Sequence, residues 1–65
     1  MKREEVLKYI KEMEEMEAYI VVLFTDGMLL IEEYIYYDDN YNLDSDYLYF
    51  DDNKVELSNI VEINM

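Results

Sequence analysis

The first quarter of the chain carries apolar side chains at the spacing of one helical face. The apolar positions are Val6, Tyr9, Ile10, Met13 and Met16. These residues recur three and four positions apart, and an α-helix places such positions on one stripe. The pattern therefore predicts an amphipathic helix over residues 3–16 whose apolar stripe packs against the rest of the protein.

The next segment changes to the two-residue period of β-strands. Residues 18–24 are rich in aromatic and β-branched side chains, and Asp26-Gly27, a favoured two-residue hairpin turn, follows them. Residues 28–37 form the predicted return strand. A turn at Asp26-Gly27 pairs Phe24 with Leu29.

This register gives the hairpin two apolar faces. One face is predicted to belong to the core and carries Ala18, Ile20, Val22, Phe24, Leu29, Ile31 and Ile35. The other face is unusually aromatic for a surface in water, so we expect it to be covered as well. Its residues are Tyr19, Val21, Leu23, Met28, Leu30, Tyr34 and Tyr36.

The remaining residues predict a smaller hairpin and a short final strand after a polar loop over residues 38–46. Alternating apolar residues predict strands at 47–50 and 54–57, and the short final strand is predicted at 60–63, after a bend in the chain. Asp52-Asn53 can form the turn of this second hairpin, because Asn tolerates a positive φ. The apolar spacing then lengthens from two to three, which indicates a bend near Ser58-Asn59.

These elements predict one α+β domain over residues 1–65, with an N-terminal helix before a strongly bent antiparallel sheet of four to five strands. The order of elements resembles the small SH3-like or Sm-like barrel. The resemblance lies in Asp26-Gly27 and in the spacing Val55-x-Leu57-x-x-Ile60-x-x-Ile63. It implies a closed small barrel, and an open sheet of three or four strands packed on the helix is the alternative. Sm proteins also carry Asn, Gly and basic residues that contact RNA, and this chain has no such set.

The amino-acid composition argues against most catalytic, metal-binding and nucleic-acid-binding functions. The 65 residues include no His and no Cys, and 17 acidic residues against 5 basic residues give a net charge of −12. No imidazole base, thiolate nucleophile or Cys-based metal site can form. Direct binding of nucleic acid needs a basic surface and is not expected. We expect no catalytic residue and no enzyme activity.

The acidic loop also has part of the pattern of a calcium site. Asp38-x-Asn40-x-Asn42 begins like an EF-hand loop, but Leu43 stands where Gly is required and Tyr49 where the final Glu is required. We therefore predict no metal site and no cofactor. No targeting or membrane-spanning segment is expected either, because the longest apolar run is too short to cross a bilayer.

The charge is concentrated in one part of the chain. Residues 34–53 hold six Asp and six Tyr and no basic residue. The preferences of Asp for loops and of Tyr for strands explain these residue types. They do not explain why no basic residue is present, since a surface with only negative charge destabilises the folded state by self-repulsion. We therefore predict a surface for a basic partner, in which Asp side chains mimic phosphates and Tyr side chains anchor the contact. The predicted residues are Asp38, Asp39, Tyr41, Asp44, Asp46, Tyr47, Tyr49, Asp51 and Asp52.

A short, strongly acidic, Cys-free chain with strands rich in Asp and Tyr resembles the inhibitors that phages make against host nucleic-acid enzymes. Anti-CRISPR proteins and uracil-DNA glycosylase inhibitors are examples. The resemblance implies a non-enzymatic inhibitor in the host cytoplasm that blocks a basic nucleic-acid-binding groove and has no membrane contact. The alternative is a self-assembling structural or adaptor module, in which the aromatic second face of the first hairpin is the interface of a homodimer or ring.

Overall fold

A computed structural model describes all 65 residues as one α-helix, six strands and one 3₁₀ turn. Helix α1 spans Arg3–Met16. The strands are β1 Tyr19–Asp26, β2 Leu29–Tyr36, β3 Tyr41–Leu43, β4 Tyr47–Phe50, β5 Asn53–Glu56 and β6 Ile60–Asn64. The 3₁₀ turn Leu57–Asn59 lies between β5 and β6, at the predicted bend.

The strands form two three-stranded antiparallel sheets rather than one strongly bent sheet. The first sheet has the order β2-β1-β6, and the second has the order β3-β4-β5. The prediction of an α+β fold with an N-terminal helix is confirmed. No ladder of backbone hydrogen bonds joins the two sheets, so the backbone does not close into the barrel that the resemblance implies.

Helix α1 follows the predicted apolar stripe up to its last turn. Val6, Ile10 and Met13 are buried, whereas Met16, predicted to lie on the same stripe, is 68% exposed. The helix ends at Met16, and Glu17 turns the chain away in the left-handed conformation with φ 50°. Met16 therefore has no neighbouring layer to pack against. No helix of the structure has the length and apolar character that crossing a membrane requires.

The first hairpin has the predicted faces but a different turn. Asp26 pairs with Leu29, so the loop is Gly27-Met28 rather than Asp26-Gly27. Gly27 has φ 63°, which suits the first position of a two-residue loop. The register is displaced by two residues relative to the prediction, and each side chain keeps its face because the period of a strand is two. Met28 lies in the turn and not in a strand.

The second sheet corrects two predictions. The predicted loop over residues 38–46 contains strand β3, which pairs with β4 through Asn42 opposite Tyr49. The loop of the second hairpin is Asp51-Asp52 rather than Asp52-Asn53, and the positive φ falls on Asp51 at 52°. The physical reason is that Phe50 pairs with Asn53, which leaves Asp51 and Asp52 as the two loop residues. The N–H of Asp51 still donates to the carbonyl of Asn40 at 3.0 Å, so the pairing of β4 with β3 extends to the residue whose positive φ turns the chain into β5.

Helix α1 and both sheets share one core of twelve buried residues. The helix contributes three of them, the first sheet five and the second sheet three, and the 3₁₀ turn adds Leu57. The core residues are Val6, Ile10, Met13, Ile20, Val22, Ile35, Leu48, Phe50, Val55, Leu57, Ile60 and Ile63. Leu29, predicted to lie in this core, is 66% exposed because the tip of the first hairpin extends beyond the helix and β6.

Candidate functional site

The structure divides the predicted acidic residues between the two ends of the second sheet. Tyr41 at the start of β3 lies opposite Phe50 at the end of β4, so the segments next to them are neighbours. The bond from the Asp51 N–H to the Asn40 carbonyl joins these segments directly. We call this end of the sheet the acidic end, and its carboxylates are Asp38, Asp39, Asp51 and Asp52.

The C-terminus of helix α1 adds negative charge beside the acidic end. The Ala18 carbonyl, just after the helix, accepts the N–H of Tyr37 at 3.0 Å, and the Tyr41 hydroxyl donates to the carboxylate of Glu14. The last turn of the helix contains no basic residue. Because the C-terminus of a helix also carries a partial negative charge, the helix reinforces the field of the neighbouring carboxylates.

Two of the predicted residues, Asp44 and Asp46, lie at the opposite end, in the turn between β3 and β4. Asp44 Oδ1 accepts the N–H groups of Asp46 at 2.8 Å and Tyr47 at 2.7 Å. Its Oδ2 accepts the hydroxyl of Tyr49 at 2.8 Å. The two backbone bonds, followed by the tyrosine bond, hold the pKa of Asp44 below its usual value. The Asp44 carboxylate therefore stabilises the turn, and both of its oxygens already have partners.

Asp39 also holds the backbone of the chain. Its Oδ2 accepts the N–H of Tyr36 at 2.9 Å, and its own N–H donates to the carbonyl of the same residue at 2.9 Å. This pair of bonds closes the turn after β2. At the acidic end, the exposed carboxylates are those of Asp38, Asp51 and Asp52, whereas Asp39 is half-buried.

The three predicted tyrosine anchors do not share one face. Tyr47 and Tyr49 lie on the outer face of the second sheet with ring centroids 6.0 Å apart. Lys54 places its Nζ 4.8 Å from the centre of the Tyr47 ring, so a cation already occupies that ring. The hydrogen bond to Asp44 raises the pKa of Tyr49.

Tyr41 lies on the opposite face of the second sheet, because it pairs with the buried Phe50. Its hydroxyl reaches helix α1 through Glu14. Burial first and the bond to Glu14 second raise the pKa of Tyr41 to about 12. Tyr41 therefore ties the second sheet to the helix and is not positioned beside Tyr47 and Tyr49.

The aromatic face predicted on the first hairpin is exposed in this chain. Tyr19 lies between Tyr34 and Tyr36, with ring centroids 5.5 and 5.3 Å away. Tyr34 is 47% exposed, and the nearby charge of Glu32 is the main cause that raises its pKa. Of the seven predicted residues, Met28 alone lies off the sheet, in the turn. The structure brings together Tyr19, Val21, Leu23, Leu30, Tyr34 and Tyr36.

A groove that no sequence pattern predicts lies between the tip of the first hairpin and strand β5. Its volume is about 250 Å³. Apolar residues from three strands line it, Phe24, Ile31 and Val55, and acidic residues stand beside them. The acidic residues are Asp26, Glu33 and Glu56. These residues come from separate hairpins, so only the packing of the two sheets brings them together. They do not form a cluster that could hold a metal ion.

No protein-family model, curated protein or solved structure matches this chain. Its function is therefore inferred from its own geometry and charge. Two features carry most weight, the acidic end of the second sheet and the exposed aromatic face of the first sheet.

Proposed function

We propose that the protein is a non-enzymatic acidic inhibitor that occupies a basic nucleic-acid-binding groove of a host enzyme. A phage or mobile element encodes it, and it acts in the host cytoplasm in an anti-CRISPR or similar anti-defence role. The proposal rests on one observation, the acidic end. Asp38, Asp51 and Asp52 are exposed there beside a helix C-terminus that carries no basic residue.

The arrangement suits a cationic partner for two reasons. Carboxylates on two adjoining turns present several negative charges over a small area, as the phosphates of a nucleic acid do. The field of the helix C-terminus has the same sign, so it adds to the attraction of Arg and Lys side chains. Such attraction speeds association and weakens as salt screens it.

Within this proposal, the hydrogen bonds of the acidic and tyrosine residues divide them into supporting and contacting groups. Asp39 and Asp44 hold turns through their carboxylates, and Tyr41 holds the helix, so they support the surface. Asp38, Asp51 and Asp52 make the direct contacts. The contact extends further when the groove of the partner is long. It then includes Asp46, which precedes β4, and Tyr47 and Tyr49 on the outer face of that strand.

The test compares two variants of equal charge. In one, Asp51 and Asp52 become Asn, which tolerates the positive φ of the first position. In the other, Glu4 and Glu5 in the first turn of the helix become Gln. Each protein is immobilised and incubated with nuclease-treated lysate of the natural host, and bound proteins are eluted with duplex DNA and identified by mass spectrometry.

We expect one basic, nucleic-acid-handling protein that duplex DNA displaces. The Glu4 and Glu5 variant should retain this protein, and the Asp51 and Asp52 variant should lose it. Equal retention by both variants would show that only net charge matters and would overturn the proposal. A partner that DNA does not displace would overturn it as well.

The exposed aromatic face favours a second candidate function, a self-assembling structural or adaptor module. Six apolar or aromatic residues lie together on the first sheet, and all but the half-buried Val21 and Leu23 are exposed. In this candidate the face forms a homodimer interface, and the charge keeps the assembly soluble. Light scattering at low micromolar concentration tests it, with Leu23→Ser as the interface variant and Leu7→Ser on the helix as the control. A strict monomer would remove this candidate.

A further inference from the structure

Strand β2 is an edge of the first sheet, and the direction of its backbone groups can be read from its hydrogen bonds. The N–H of Tyr37 donates to the Ala18 carbonyl at 3.0 Å, so residue 37 faces β1. The N–H and C=O groups of successive residues in a strand point alternately to its two sides. The backbone N–H and C=O groups of the even-numbered residues of β2 therefore point away from β1. The hydrogen bonds between the backbone of Tyr36 and Asp39 agree with this direction.

The outward-facing part of this edge is long for so small a protein. Asp39 occupies the backbone groups of Tyr36, which leaves those of Leu30, Glu32 and Tyr34 facing outward. Folded proteins usually protect such an edge with charged side chains, Pro or a bulge. Strand β2 has the sequence LLIEEYIY, with neither Lys nor Pro, and its charges, Glu32 and Glu33, disfavour an added acidic strand but not a basic one. It is thus open to pairing with a further strand.

The groove between the sheets borders the same strand. Ile31 and Glu33 of β2 form one wall, and Val55 and Glu56 of β5 form part of the other. Side chains of an added strand alternate between its two faces. On one face they would lie beside Leu30 and Tyr34, and on the other they would reach into this groove.

Charge decides which occupant fits. The groove holds Asp26, Glu33 and Glu56 against a single cation, Lys54, which lies over the ring of Tyr47. A second copy of the chain also carries a charge of −12, and the most extensive symmetric pairing of β2 with itself sets Glu32 directly opposite Glu32. Like charges in that position are destabilising. The occupant is therefore a basic segment and not a second copy.

We propose that β2 accepts an extended, lysine- or arginine-bearing segment of a partner protein as an additional strand. The main chain of that segment pairs with Leu30, Glu32 and Tyr34. Its inward-facing basic side chains enter the groove between Glu33 and Glu56, beside the apolar side chain of Ile31. This site is separate from the acidic end and does not depend on the inhibitor function proposed above.

The probe is a capped six-residue peptide of alternating valine and lysine, added to the protein at physiological salt and followed by amide NMR. We expect the N–H signals of Leu30, Glu32 and Tyr34 to shift and to exchange more slowly with solvent. A control peptide of equal charge carries proline in place of its central valine. It should bind roughly tenfold more weakly, because a ladder hydrogen bond is lost. Equal affinity for the two peptides, or no shift at these amides at millimolar peptide, would overturn the proposal.

Two variants of one residue test the edge from the side of the protein. Glu32→Pro removes an outward N–H without removing a bond to β1, and an edge strand tolerates such a change. Glu32→Gln removes the charge and keeps the N–H. We expect the first variant to lose peptide binding and the second to keep most of it. The reverse order would overturn the proposal.

The Asp51 and Asp52 double variant separates the two proposals. We expect it to bind the peptide at β2 with unchanged amide shifts, whatever happens to capture of the host protein. Loss of those shifts in this variant would show that the peptide binds the acidic end, and the assignment to β2 would then be wrong.

Discussion

Both hairpins have a positive φ at the first residue of their loops, but one hairpin has Gly there and the other has Asp. The first residue of each two-residue loop has a positive φ, 63° at Gly27 and 52° at Asp51. Gly adopts this conformation without strain, whereas an L-residue with a side chain is disfavoured there. Crowding does not explain the difference, because a Cβ at Gly27 would meet open space.

A second position with a positive φ also holds an acidic residue. Glu17, which ends the helix, has φ 50°, and with Asp51 it completes the set of non-glycine residues that have a positive φ. Both are acidic, and both lie in the part of the molecule where the helix C-terminus approaches the acidic end. Strained residues cluster at functional sites in proteins. We interpret the two acids as charge retained at positions where glycine would stabilise the fold.

The largest predicted effect is on the free energy of unfolding, and it shows whether the two hairpins unfold as one cooperative unit. Ile20 in the first hairpin and Leu48 in the second are fully buried in the shared core. We expect Ile20→Ala and Leu48→Ala each to lower the free energy of unfolding by about 2–5 kcal/mol, since each leaves a cavity. Urea unfolding followed by circular dichroism and by tyrosine fluorescence measures both.

The control is Leu30→Ala, at a position 62% exposed, which should change stability by no more than about 0.5 kcal/mol. We also expect the two optical probes to give coincident transitions in every variant. If Leu48→Ala unfolded the second sheet while the first remained intact, the hairpins would be independent and their comparison would lose its basis.

The next effect concerns the tie between the second sheet and the helix. Tyr41→Phe removes the hydroxyl that donates to Glu14, and we expect a loss of about 1 kcal/mol at neutral pH. The raised pKa of Tyr41, about 12, means that folding favours its neutral form. Its contribution is therefore complete below the ordinary tyrosine pKa of 10.0 and is lost as pH rises from there through about 12.

This pH dependence supplies the measurement. The stability difference between wild type and Tyr41→Phe should shrink as pH rises from about 10 to 12. Tyr36→Phe, on the exposed face of the first sheet, is the matched control. A difference that stays constant over that range would contradict a structural role for the Tyr41 hydroxyl.

Much of the fold could be predicted from the sequence, because periodicity reports which side chains face the core. The helical stripe through Val6, Ile10 and Met13 and the alternation through Ile20 and Val22 are strong local signals. An error of two residues in register left these faces unchanged, because every second residue of a strand shares a face. The faces were therefore predictable even where the turn was not.

The turns and the sites were less predictable because they depend on contacts between distant segments. The loop of the second hairpin follows from the pairing of Phe50 with Asn53, and β3 is a strand because β4 lies beside it. The internal role of Asp44 needs Tyr49 to fold back onto it. Composition identified an acidic surface, but only the fold separates the carboxylates that hold turns from those that face solvent.

The smallest effect exchanges the two turn residues. Asp51→Gly removes the strain at φ 52° and a repelling charge, and we expect it to stabilise the protein by about 0.5–1 kcal/mol. Gly27→Asp should destabilise it by a similar amount. Chemical unfolding measures the stability of both variants. Asp51→Asn is the third variant, because it removes the charge but tolerates the positive φ, and it separates the effect of backbone strain from the effect of charge.

The same exchange connects stability to function. If Asp51 is kept for its charge, Asp51→Gly and Asp51→Asn should both weaken capture of the basic host protein, although the first is more stable than wild type. Gly27→Asp should leave that capture unchanged, since Gly27 lies at the tip of the other hairpin. A stabilised Asp51→Gly that captures the host protein as well as wild type would show that the strain at this turn serves no binding function. The contrast between the two hairpins would then be a matter of local sequence alone.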